Sequence, residues 1–164
     1  MSSEPDPTPE PLWRSMRLLP ARMDRDIDRI YREAKLDAKP NYVMELLRLD
    51  TRGPMTIAEL AASVERTHSA MSQKIASMQR DGLVRTAAGP DGRSKHVLLT
   101  PKAKRLLGRL TAEWRATQAA IAEIESEIPY PLSRVVRDVE LALERTSFYD
   151  RVKRKLAEDP AWRE

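Results

Sequence analysis

TIAELAASVERTHSAMSQKIASMQRDGL, residues 56–83, is the stretch that decides the fold. It opens with Thr56 and Glu59 at the spacing of a capping box. The Thr56 hydroxyl can accept from the Glu59 amide while the Glu59 carboxylate reaches back to the Thr56 amide, so a short helix starts there with Leu60, Ala61 and Val64 turned inward. Thr67 offers a second N-cap a few residues later. The helix it opens carries Met71, Ile75 and Met78 at spacings of four and three, one apolar face of a 3.6-residue period. Two helices joined by a tight turn are therefore predicted, the second ending at Asp81-Gly82.

Downstream the periodicity changes. Leu83–Thr86 and Lys95–Leu99 read as two strands around the turn-rich loop Ala88–Ser94. Thr100-Pro101 then pairs an N-cap with a proline at the first helical position, the start of the longest helix of the chain. Leu107, Leu110, Trp114, Thr117, Ile121, Ile124 and Ile128 follow at three-four spacing. This is a 3.5-residue repeat sustained for about three heptads, and such a seam calls for a partner helix. Pro129-Tyr130-Pro131 interrupts it, and Leu132, Val135 or Val136, Val139 and Leu143 continue as another amphipathic helix to about Tyr149. Upstream, Met23, Ile27, Ile30 and Ala34 mark a helix between Pro20 and Lys35, and a further helix after Pro40 stops near Arg52-Gly53-Pro54. The prolines at positions 5, 7, 9 and 11 forbid helix at the N-terminus, so residues 1–19 are expected to form a disordered arm and residues 150–164 a charged tail, helical at first and then frayed.

Composition narrows the function classes. The 164 residues are 41% hydrophobic, 33% charged and 5% aromatic, which suits one helix-rich domain with charged faces. The net charge of +4 favours an anionic partner without naming it. With no cysteine, disulfides, thiolate metal sites and thiol redox sensing are excluded for the unmodified chain. Only two histidines are present, and no Gly-rich phosphate loop or metal-ligand motif appears, so an enzyme is not expected, nor is a cofactor or a metal site. No apolar run approaches the roughly 20 residues that cross a bilayer, and the N-terminus lacks the pattern of a signal peptide. The expected setting is the cytoplasm, with no membrane partner.

Helix, helix, capped helix, turn, helix and hairpin is the order of a winged helix-turn-helix, in which the second helix of the turn enters the major groove of double-stranded DNA. The fold expected is mainly α with a small β-hairpin wing, flanked by N- and C-terminal dimerisation helices. On the helix opened by Thr67, the residues His68, Ser69, Ser72, Gln73 and Lys74 are assigned outward: short or amide side chains for base edges, and a cation for phosphate. On the wing, Arg93 with Lys95 behind it suits the narrow, electronegative minor groove, and Asp91 can hold the guanidinium by a charge-assisted bond. A winged helix serving as a protein-interaction or RNA-binding module is the competing reading, since fold alone does not fix function. A basic wing tip and a dimerising seam argue against it.

From residue 23 to 149 the sequence resembles the multiple antibiotic resistance regulator (MarR) family of bacterial and archaeal repressors and activators. The resemblance is carried by Thr56–Ala61, Ser69–Ile75, Asp81–Arg85, Asp91-Gly92-Arg93-Ser94 and Leu98–Ala103. Asp91-Gly92-Arg93 reproduces the family's wing pattern of Asp, any residue, Arg. The resemblance implies a homodimer, with a DNA-binding lobe at about residues 51–101 and a dimerisation lobe from residues 20–50 and 102–149. It also implies a cleft for a small effector, aromatic or anionic, whose release of DNA would make the protein a repressor. The family's thiol-sensing members need a cysteine and its zinc-sensing members clustered His and acidic ligands, and His68 and His96 alone do not supply them.

Overall fold

The structure is a computed structural model and describes residues 11–89 and 94–162. It divides into two compact units between Trp114 and Arg115. The first contains α1 (Pro11–Glu33), a 3-10 turn (Pro40–Tyr42), α2 (Val43–Arg52), β1 (Met55–Thr56), α3 (Ile57–Ser63), α4 (His68–Arg80), β2 (Val84–Ala88), β3 (Lys95–Leu99) and the first half of α5 (Pro101–Glu127). The second contains the rest of α5, then α6 (Leu132–Arg145), α7 (Phe148–Glu158) and a 3-10 turn (Pro160–Trp162).

The core of the first unit lies beneath the helix-turn-helix. Leu46 of α2, Leu60 of α3, Met71 and Met78 of α4, Leu83, Val97 of β3, and Ala103 and Leu110 of α5 are completely buried. The apolar faces expected for α3 and α4 are the faces the fold buries, with Ile75 and Ala61 alongside. At roughly 1.5–3 kcal/mol per fully buried aliphatic side chain, this cluster is the main force holding the four helices together. α1 joins it through Tyr31, whose hydroxyl donates to Glu113 Oε2 (3.1 Å), and Arg109 of α5 donates to the Ala34 carbonyl (2.6 Å).

The sheet is three-stranded and antiparallel in the order β1-β3-β2. Val97 pairs with Met55 on one side and Thr86 on the other, and His96 with Thr56 and Ala87. Two devices seat the hairpin. Gly82 follows the last turn of α4 with φ of +72°, a conformation open to glycine and costly for other residues, so Leu83 turns directly into β2. Thr100 closes the other end: its amide donates to the Leu83 carbonyl (3.0 Å) and its hydroxyl to the Gly82 carbonyl (2.7 Å), while it accepts from the Ala103 amide (3.2 Å) as the cap of α5.

Three sequence expectations are corrected, and one short strand is added to them. Residues 11–19 are not arm but helix: α1 begins at Pro11, where a missing amide costs nothing, and runs through Pro20. β1 is a strand of two residues, too short to leave a periodic signal. β2 continues to Ala88 rather than stopping at Thr86. The helix from Leu132 ends at Arg145 rather than near Tyr149. Ser147 then caps a new helix by accepting from the Asp150 amide (3.1 Å), so the helical start expected of the tail is the separate helix α7.

Apolar side chains on several helices are uncovered within the single chain. On α1, Leu12, Met16, Leu19, Met23 and Ile30 are exposed. In the second unit, α6 and α7 bury none of their residues, and Ile124, Ile128, Leu132, Val136, Val139 and Leu143 face outward. Among the described residues no helix is long and apolar enough to cross a membrane.

Candidate nucleic-acid interface

The interface is built on α3 and α4. The capping box is fully formed: Glu59 Oε2 accepts from the Thr56 amide (2.8 Å) and hydroxyl (2.9 Å), and the Glu59 amide donates back to Thr56 Oγ1 (3.2 Å). The Thr56 amide, then its hydroxyl, hold the Glu59 carboxyl below its ordinary range. After α3 the chain passes through Glu65, with φ of +52°, and the Arg66 amide returns to the Ala61 carbonyl (2.9 Å). Thr67 then caps α4 by accepting from the Ala70 amide (3.2 Å).

With Met71, Ile75 and Met78 fixed inward, Thr67, His68, Ser69, Ser72 and Gln73 are all exposed and share the outer side of the first two turns of α4. This is a nearly uncharged surface of hydroxyls, an amide and an imidazole. Such a surface can donate to and accept from base edges.

Lys74 is not part of it. Its side chain is only 13% exposed, and its ammonium donates to Glu45 Oε1 (2.8 Å) and to the Asn41 carbonyl (2.7 Å). The expectation of an outward cation for phosphate is corrected, because the charge is spent on a buried carboxylate. Sequence reasoning also missed Tyr42, which is fully buried at the N-terminus of α2. Its hydroxyl meets Ser77 Oγ (2.7 Å), donates to Asp81 Oδ2 (2.9 Å) and lies 3.1 Å from Lys39 Nζ. Lys39 pairs with Asp81 (2.9 Å). Bonding to Lys39, then to Tyr42, keeps the Asp81 carboxyl below its ordinary range, and Asp81, then Tyr42, raises the Lys39 ammonium. No single-residue signal marks Tyr42, since a tyrosine at a helix start resembles any core aromatic.

The wing stands beside α4, with Gln79 Nε2 3.4 Å from Thr86 Oγ1. The Gly89 amide donates to the Ser94 carbonyl (2.7 Å), narrowing the hairpin toward its tip, and Lys95 is exposed at the start of β3. Asp91 and Arg93 lie outside the described residues. No cluster of metal-ligating side chains occurs among those described.

A capped helix pair whose second helix presents an uncharged polar face, backed by a three-stranded sheet with a hairpin wing, defines a winged helix-turn-helix protein. The sequence model of the MarR family matches residues 39–94, which run from the start of α2 into the wing. The Mycobacterium tuberculosis transcriptional regulator MosR, solved in complex with DNA, is 27% identical over 83% of this chain and 96% of its own, with a TM-score of 0.60. Two more distant structures share the fold. The Staphylococcus aureus MepR–DNA complex is 16% identical over 80% of this chain and 94% of its own, with a TM-score of 0.61. The Streptococcus agalactiae haem sensor PefR, solved with haem, is 18% identical over 87% and 98%, with a TM-score of 0.56. No curated protein sequence matches the chain. Over residues 39–94 the chain is thus similar to the MarR family, and its fold is one found in transcriptional regulators solved on DNA.

Proposed function

We propose that the protein is a sequence-specific regulator that binds an inverted-repeat operator as a homodimer and acts as a repressor released by a small aromatic or anionic effector, in the cytoplasm and without catalysis. The observation that carries this reading is the exposed, uncharged polar face Thr67–Gln73 at the N-terminal half of α4, beside a wing, in a fold shared with a regulator solved on DNA. The uncovered apolar stripes of α1 and α6 support the dimer, since a soluble monomer rarely leaves so many aliphatic side chains in contiguous stripes. Two symmetric recognition helices then require half-sites about one helical turn apart.

The test combines selection of bound fragments from genomic DNA with affinity measurements over a range of salt concentrations. Gln73→Ala should cost about 1–3 kcal/mol at its cognate base pair and relax the preference there. Arg93→Ala should weaken binding to many sequences and reduce the salt slope by about one unit. Asp91→Ala should act in the same direction more mildly. Light scattering should return twice the 18.7 kDa chain mass. Equal affinity of the wild-type protein for selected and scrambled duplexes would refute operator recognition, and a stable monomer would refute the dimer.

A further inference from the structure

We infer that the segment Lys39–Glu45 is a two-point clamp that fixes the direction of α4, and that Lys74 is a positioning residue for DNA readout rather than a phosphate ligand. The inference rests on the reading of α4 as the recognition helix. One point of the clamp lies in the middle of α4, where Lys74 reaches Glu45 Oε1 (2.8 Å) and the Asn41 carbonyl (2.7 Å). The other lies at its C-terminal end, where Ser77 and Asp81 converge on Tyr42, with Lys39 closing the ring. The two points sit about one to two turns apart along α4, so together they define its direction as well as its distance from α2.

The first point has the chemistry of a device for orientation. The Glu45 side chain is 1% exposed, and its Oε2 meets no hydrogen-bond partner among the described residues. Burying a carboxylate and an ammonium costs solvation that their mutual attraction barely repays, and an apolar pair of the same volume is often as stable or more so. What the ion pair supplies in return is direction: one ammonium held by two oxygens has a defined position, whereas two packed apolar chains tolerate sliding. Lys74 follows Gln73 directly and lies two residues after Ser72, so a small shift at Lys74 displaces the outward side chains. A misplacement of about 1 Å is comparable to the tolerance of a hydrogen bond to a base edge.

The experiment measures DNA affinity against salt on selected and scrambled duplexes, together with melting temperature, for wild type, Lys74→Met and the double variant Glu45→Met/Lys74→Met. The expected result for Lys74→Met is a lower melting temperature, an unchanged salt slope, and a loss of about tenfold in the ratio of selected to scrambled affinity, the order of one lost base contact. In the double variant the melting temperature should return to the wild-type value or above while discrimination stays low. A salt slope reduced by about one unit in Lys74→Met at unchanged melting temperature would make Lys74 a phosphate ligand and overturn the inference. So would wild-type discrimination in the double variant, which folds without the buried charges and so decides the matter even if Lys74→Met does not fold. Absence of discrimination by the wild-type protein would instead refute the recognition-helix reading itself.

Discussion

A methyl group added at Gly89 would have to displace the His96 ring. Its Cβ would overlap Cε1 and Nδ1 of the His96 ring and stand 2.7 Å from Ser94 Oγ. Pairing with Thr56 of β1 and Ala87 of β2 fixes the His96 backbone, so the ring itself must rotate away, moving an Nδ1 that is buried. Gly89 does not have the left-handed backbone of Gly82, so the cost of Gly89→Ala is steric rather than conformational. Overpacking of this kind costs about 1–3 kcal/mol. For a chain of this length each kcal/mol shifts the melting temperature by about 2–4 °C, and the middle of the range gives a drop of about 4–8 °C. The assay is a double-mutant cycle of thermal melts monitored by circular dichroism. His96→Ala loses some packing of its own, but in that background Gly89→Ala should cost no more than about 0.5 kcal/mol, because the overlapping atoms are gone. An equal penalty for Gly89→Ala in both backgrounds would refute the reasoning, and with it the account of why this hairpin carries a glycine at that point.

Thr67→Ala removes the acceptor for the Ala70 amide and should destabilise the protein by about 0.5–2 kcal/mol in denaturant unfolding, while Thr67→Ser, which retains the oxygen, should stay close to wild type. The carboxyls of Asp81 and Glu59 sit below their ordinary range in the folded protein, so their contribution to stability is complete above the unfolded carboxylate range of about 4 and is lost as pH falls through the lower folded values. Melting temperature against pH should therefore show an acid limb that Asp81→Asn makes shallower, and an unaltered limb would show that Asp81 is not one of its sources.

The helix-turn-helix is legible in the sequence because two independent signals coincide there. Thr56 with Glu59, and then Thr67, announce helix starts by hydrogen-bond chemistry, and the apolar spacing behind each start names the buried face. Where only one signal exists, the reading fails. β1 spans Met55 and Thr56 alone, and its pairing with β3 depends on a partner some forty residues away that no local pattern records. The stripe ending in Leu143 carries the eye past Arg145, yet Ser147 and Asp150 mark a new helix start by the same chemistry as Thr67. Lys74 is the instructive error. It lies three residues after Met71 and four before Met78, both buried, so spacing alone puts it on the inner side of α4. Residue type prevailed over position because the acid that receives it, Glu45, lies 29 residues earlier on another helix. The charge of a lysine predicts exposure only until a buried partner is known.

Thr100 gives the wing a mechanical character. A hairpin opens most easily from its ends, and here one end is the turn while the other is riveted: the Thr100 amide and hydroxyl hold the Leu83 and Gly82 carbonyls at the base of the two strands, and the same hydroxyl anchors the first turn of α5. The wing is thus a cantilever, fixed where it leaves the body. Amide hydrogen exchange should record this as a gradient, slowest at Thr100 and the neighbouring Leu99, and faster step by step toward Lys95. A beam fixed in this way moves with the α4–α5 junction to which its base is tied.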